Sequence, residues 1–187
     1  QPASLFELKE STGINFINQV KDTKDFNILT YRNFYNGGGV AIGDINNDGL
    51  ADVFFTANMG SNKLYKNKGG WQFEDISVKA GFVEKQDWST GVVMVDINSD
   101  GWLDIYVCNA GYINGVAPES KLYINNGISP KGSKGGDISF TESAREFGLA
   151  NTGGYATHAA FFDYDLDGDL DAFIINNSFI PVNTLNF

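Results

Sequence analysis

Residues 44–52 read DINNDGLAD, residues 96–104 read DINSDGWLD, and residues 163–171 read DYDLDGDLD. Oxygen-bearing side chains recur at positions 1, 3, 5 and 9 of each nonapeptide, with glycine at position 6. They are Asp44, Asn46, Asp48 and Asp52 with Gly49; Asp96, Asn98, Asp100 and Asp104 with Gly101; and Asp163, Asp165, Asp167 and Asp171 with Gly168. Alternate residues of a tightly curled loop can turn their oxygens toward one centre, and glycine takes a bend that a side chain would obstruct. A hard cation such as Ca²⁺ takes about six to eight oxygens at about 2.3–2.6 Å. The pattern therefore predicts up to three Ca²⁺ ions, with the backbone carbonyls of Leu50, Trp102 and Asp169 at position 7 completing the shells. The third loop is the most anionic and is expected to bind most tightly.

Rival readings of the loops fare worse. A helical EF-hand needs a bidentate Glu at position 12, where this chain has Phe55, Val107 and Ile174. Zinc calls for a His/Cys cluster, and magnesium prefers a few carboxylates with water. Plain Asp/Asn/Gly turns would explain one such run better than three in register, each with Asp at position 9.

The flanks of the loops repeat as well. Small or apolar runs precede them at residues 39–43, 91–95 and 159–162, and apolar runs follow at 53–55, 105–107 and 172–175. Farther on come Leu64-Tyr65-Lys66-Asn67 and Leu122-Tyr123-Ile124-Asn125, then Phe73 with Gly81-Phe82 and Phe140 with Gly148-Leu149. Each unit reads as about four short strands. The first strand of each is expected to be buried on both faces, as the innermost strand of a propeller blade would be. Residues 77–81 and 143–148 read as single helical turns closed by glycine. The second unit is 15 residues longer, a difference that falls in two insertions near residues 111–120 and 127–139. The N-terminal residues 5–14 resemble the end of a unit and are expected to supply an outer strand. Residues 15–36 match nothing in the repeat.

The 187 residues are 42% hydrophobic and 14% aromatic with 22 glycines, which excludes a disordered acidic tail and suits short strands joined by turns. Net charge is −10, yet eleven acidic residues lie in the three nonapeptides and the remainder is close to neutral. Local anionic clusters call for a cation, and the absence of a basic patch argues against nucleic acid. No run approaches a membrane span, and no signal peptide is read. Cys108, the only cysteine, reads as a buried core thiol. His158, the only histidine, precedes a buried strand and lacks a catalytic setting. Trp71, Trp88 and Trp102 read mainly as packing residues, with Trp102 the one whose loop position leaves its side chain free.

With its D-x-[DN]-x-D-G-x-x-D loops, its LYKN and LYIN strands and its FEDISVKAGF and FTESAREFGL endings, the chain resembles the FG-GAP/VCBS repeats of integrin α-like β-propellers. The similarity is closest to the bacterial ASPIC/UnbV and cartilage-acidic-protein-like branch and covers all but residues 15–36. It implies an all-β propeller, commonly seven-bladed, with calcium in the hairpin loops between the first two strands of a blade. It also implies a secreted or cell-surface protein serving adhesion or the binding of an extracellular protein or glycan. On this reading residues 1–36 hold an N-terminal strand and the unmatched segment, 37–82 the first unit, 83–149 the second and 150–187 an incomplete third. Closed propellers need at least four blades, so three units predict either part of a longer chain, the favoured reading, or a ring completed by other chains. The competing reading is a propeller-type enzyme or carbohydrate-binding module acting on extracellular polysaccharide. An enzyme is disfavoured because the paired carboxylates are committed as ligands.

Overall fold

A computed structural model describes residues 5–83, 87–111, 118–128 and 138–178. The regular elements among them are all strands. The first sheet runs β1 (Val40–Gly43), β2 (Asp52–Phe55), β3 (Lys63–Asn67) and β4 (Phe73–Asp75), each strand hydrogen-bonded to the next. The second repeats that order with β5 (Ser89–Val95), β6 (Asp104–Asn109), β7 (Lys121–Ile128) and β8 (Ile138–Glu142). The third is a two-stranded ribbon of β9 (Ala156–Phe162) and β10 (Asp171–Asn176). All pairings are antiparallel. These are the blades of a propeller, and each carboxylate loop joins the first two strands of its sheet.

The burial pattern follows from the stacking of the sheets. Period-two alternation sends Ala41 and Phe54 of the first sheet toward Val92, Ile105 and Val107 of the second. The opposite face of β6 sends Tyr106 and Cys108 toward Ala156, Ala159, Phe161 and Ile174 of the third. A strand covered on both sides must be apolar throughout, and every residue of β6 is buried. Cys108 lies in this core, where burial pushes its thiol up to about 12.

Beyond the stack, two expectations change: the first strand is exposed on one face, and residues 5–14 supply no outer strand. β1 is not buried on both faces: Val40 and Ile42 are 55% and 68% exposed, because no sheet among the described residues lies against that side. The N-terminal segment covers part of it. Among residues 5–39 there is no strand. Instead, Phe16 stacks on Phe55 with ring centroids 4.9 Å apart, the Tyr65 hydroxyl donates to Asn15 Oδ1, and the Phe73 N–H donates to the Thr12 carbonyl. Phe162, Phe173 and Ile175 are exposed on the far face of the third sheet in the same way.

The unmatched residues 15–36 form a cap over the starts of the inner strands. Tyr31 and Phe34 are fully buried with Trp88 and Ala110, and Phe26 packs on Trp88 edge-to-face at 4.9 Å. Buried Asn58 ties the cap down. Its Nδ2 donates to the Gly37 and Ser89 carbonyls, and its Oδ1 accepts from Asn18. Trp88 is therefore a core residue. The turns at residues 77–81 and 143–148 close as the glycines foretell: Phe82 N–H reaches Ser77 O while Gly81 N–H reaches Val78 O, and Leu149 and Gly148 repeat the pair with Ala144 and Arg145. The two insertions fall mainly on residues 112–117 and 129–137, outside the described residues.

Inner strands meet so closely that only glycine fits between them. A Cβ on Gly39 would stand 2.7 Å from the Thr90 carbonyl oxygen, and one on Gly91 would stand 2.4 Å from that of Thr157. Gly91→Ala is therefore expected to destabilise the protein by roughly 1–3 kcal/mol through overpacking. Gly60→Ala, whose Cβ would meet Ala57 at an ordinary 3.4 Å, should stay within about 0.5 kcal/mol. Equilibrium urea denaturation of the two variants checks the difference.

Candidate metal centre

Each loop is wound about its first aspartate. In the first, Asp44 Oδ1 accepts from the N–H groups of Asn46 and Asp48, and Asp44 Oδ2 from Gly49 at 2.7 Å. In the second, Asp96 accepts from Asp100 and Gly101 at 3.0 and 2.9 Å. In the third, Asp163 accepts from Asp167 and Gly168 at 3.2 and 3.1 Å. The position-5 carboxylates then accept the position-7 N–H in all three loops: Asp48 from Leu50, Asp100 from Trp102 and Asp167 from Asp169. This winding needs left-handed backbone at position 6, where Gly49, Gly101 and Gly168 have φ of 84°, 87° and 98°. It needs the same at position 4, where Asn47, Ser99 and Leu166 have φ of 54°, 58° and 64°.

The aspartate at position 9 has a second task. Asp52 Oδ2 accepts from Ile45 N–H while Oδ1 accepts from Asn67 N–H at 2.7 Å. Asp104 does the same with Ile97 and Asn125. Both side chains are buried, and burial raises their carboxyls, opposed by the backbone donors. Asp171 repeats the first half of the pattern, accepting from Tyr164 N–H at 2.8 Å.

Asn67 and Asn125 were visible in the sequence only as the last letters of LYKN and LYIN. The structure shows their part: Asn67 Nδ2 donates to Ala51 O, and Asn125 Nδ2 to Ile45 O and Leu103 O. These asparagines lace the first and second loops to the third strands of their sheets, and Asn125 also reaches the preceding loop. Asn47 Nδ2 adds a link to Gly101 O, so the first two loops are neighbours.

Among the described residues three carboxylates converge in the third winding alone, and Asp167 is not one of them. One carboxylate oxygen each from Asp163, Asp165 and Asp171 lie within 4.8 Å of one another. In the first loop Asn46 Nδ2 donates to Asp48 Oδ2, leaving Asn46 Oδ1 buried with no donor. A buried acceptor with no hydrogen to accept needs an explanation. Asn98 donates to Asp100 Oδ2 in the same way but is exposed. Burial would raise Asp48, but the hydrogen bonds from Asn46 and Leu50 and the charge of Lys66, 3.5 Å away, together hold its carboxyl below the usual range. Asp169 is raised by the charge of Asp167. Trp102 is not free as expected: it is half-buried, with its indole ring against Gly127. The exposed tryptophan is Trp71.

Residues 44–107, from the first loop to the strand after the second, match the family model described as FG-GAP-like repeat. This stretch is an FG-GAP-like repeat segment. The chain is also homologous to part of cartilage acidic protein 1. It is 34% identical to the Xenopus tropicalis protein over 113 residues, which is 58% of this chain and 17% of that relative. To the Homo sapiens protein it is 36% identical over 76 residues, 40% of this chain and 12% of that relative. The chain thus spans less than a fifth of the length of these relatives. No helix among the described residues is long and apolar enough to cross a membrane.

Leu166 is 86% exposed yet held in the left-handed region, which suits Asn or Gly far better than leucine. Leu166→Asn should therefore stabilise the protein by about 0.5–1 kcal/mol. The check is the urea midpoint measured in EDTA, so that ion binding does not contribute.

Proposed function

We propose that the three loops bind Ca²⁺ and that the ions stiffen an extracellular β-propeller scaffold used for adhesion or ligand binding. The observation that carries this reading is one aspartate-centred winding built three times at equivalent places, with Asn46 Oδ1 orphaned in the first and three carboxylates converging in the third. The residues that would hold the ions are those at positions 1, 3, 5 and 9, with the position-7 carbonyls of Leu50, Trp102 and Asp169. Every donor is a hard oxygen, which suits Ca²⁺ over zinc. An extracellular setting is supported by the hard-oxygen chemistry, since sites of this kind in extracellular modules bind at roughly 10⁻⁴–10⁻³ M. It is also supported by homology to proteins named for cartilage.

Ion binding to the folded state alone stabilises it by about 1.4 kcal/mol per site at ten times the dissociation constant. Calcium should therefore raise the melting temperature by several degrees, and EDTA should reverse the rise. Asp165→Ala should remove the tightest site in a calorimetric titration while the two others persist. An unchanged melting temperature across EDTA and millimolar calcium would exclude the structural role.

A further inference from the structure

At the end of the inner strands opposite the carboxylate loops lies a cavity of about 340 Å³. β1, β5 and β9 each begin beside it and each run away from it into a loop. Its walls are Tyr31, Asn33 and Asn36 from the cap, Thr90, Thr157 and His158 from the second and third sheets, and the backbone of residues 37–39. The inner strands are irregular at this level. The β5–β6 register shifts between Ser89 and Val92, which leaves Thr90 and Gly91 opposite Cys108 alone. The β9–β10 register shifts at the same place and leaves Thr157 unpaired. Bulges of this kind re-aim side chains and are common beside binding sites.

Chemically the cavity is polar but uncharged: no Asp, Glu, Lys or Arg lines it among the described residues. Asn33 is only 9% exposed. Its Oδ1 accepts from Asn36, and its Nδ2 makes no well-formed hydrogen bond but has the Tyr31 hydroxyl, on the same wall, as its neighbouring acceptor. Thr90 donates its hydroxyl proton to the Cys108 and Ala156 carbonyls and Thr157 to that of Ile175, so both oxygens keep lone pairs for a ligand. The exposed His158 imidazole can donate or accept.

We propose that this cavity binds a neutral sugar, about one or two rings of a glycan. Adjacent sugar hydroxyls both donate and accept, and so match a wall made of amides, a phenol, two threonine hydroxyls and an imidazole. An ionic ligand would meet no countercharge. An apolar one would leave the amide, hydroxyl and imidazole groups of this wall without partners. The volume lies at the lower end of small-molecule clefts, roughly 300–1,000 Å³.

The test is to screen the 187-residue chain in calcium against an array of neutral oligosaccharides, then to titrate the best saccharide by calorimetry. The expected result is a neutral saccharide whose affinity falls at least tenfold in Asn33→Leu and in Thr157→Val, and severalfold in His158→Ala. Trp71→Ala, on the hairpin between β3 and β4, should leave it within twofold. Thr157 and His158 are at least partly exposed, so their variants keep the test meaningful if Asn33→Leu fails to fold. Calcium titration of Thr157→Val should match the parent, which separates this site from the loops. Absence of binding to any neutral saccharide at 10 mM overturns the proposal. So does binding confined to sulfated or carboxylated glycans or to peptides, or an affinity indifferent to Thr157→Val and His158→Ala.

Discussion

Asp44, Asp96 and Asp163 accept hydrogen bonds from backbone N–H groups four and five residues farther along, and this one arrangement turns each inner strand back on itself. It lets β1 pair with β2, β5 with β6 and β9 with β10 in strict register at the loop end, with Gly43 opposite Asp52, Val95 opposite Asp104 and Phe162 opposite Asp171. In the two four-stranded sheets the second carboxylate, at position 9, passes the constraint to the third strand through the N–H of Asn67 or Asn125. Two aspartates thus couple three strands. Their carboxylates use fixed backbone donors in place of water, so part of the desolvation that burial imposes is offset by bonds that already exist in the folded chain. Several anions held at close range by a backbone are nonetheless a concentrated negative charge.

Most of this could be read in the sequence because it recurs. Period-two burial, a glycine at a fixed place in each loop and the return of the LYKN and LYIN strands all follow from one unit built repeatedly on one set of steric rules. The positions that escaped notice obey rules that composition hides. Asn47, Ser99 and Leu166 share a left-handed backbone at position 4, but a residue type that varies from Asn to Ser to Leu announces no such thing. Asn125 is legible as a repeated letter, whereas its bond to Ile45 O spans 80 residues and belongs to the contact between sheets.

The first strand was misjudged for a related reason. A run such as residues 39–43 shows that a segment can be buried on both sides, not that the chain supplies a cover for both. Gly39 is needed because β5 lies against it, and this half of the expectation holds. Among the described residues the other face meets the thin N-terminal segment, whose Phe16 and Asn15 contacts carry no periodic signature. Residues 15–36 were opaque on the same grounds. They make no ladder, and their order comes from single events: Tyr31 and Phe34 inserted beside Trp88, and one buried asparagine, Asn58, holding Asn18. A structure that occurs once has no second copy against which to recognise it.

The two ends of the inner strands are consequently built by different physics. At the loop end, charge is concentrated and the backbone is satisfied by carboxylates. At the cap end, aromatic packing encloses uncharged amides and hydroxyls around bulged backbone. Gly39, Gly91 and His158 occupy the same place in the three inner strands, five residues before the first loop aspartate. The first two are glycine because a neighbouring inner strand presses on them. Where the third inner strand has no such neighbour among the described residues, a histidine can stand, and its ring lies beside Gly91 at the rim of the cavity. The one histidine of the chain is therefore placed by the same close packing that demands glycine in the other two repeats, and that packing brings a hydrogen-bonding group to the cap end of the blades.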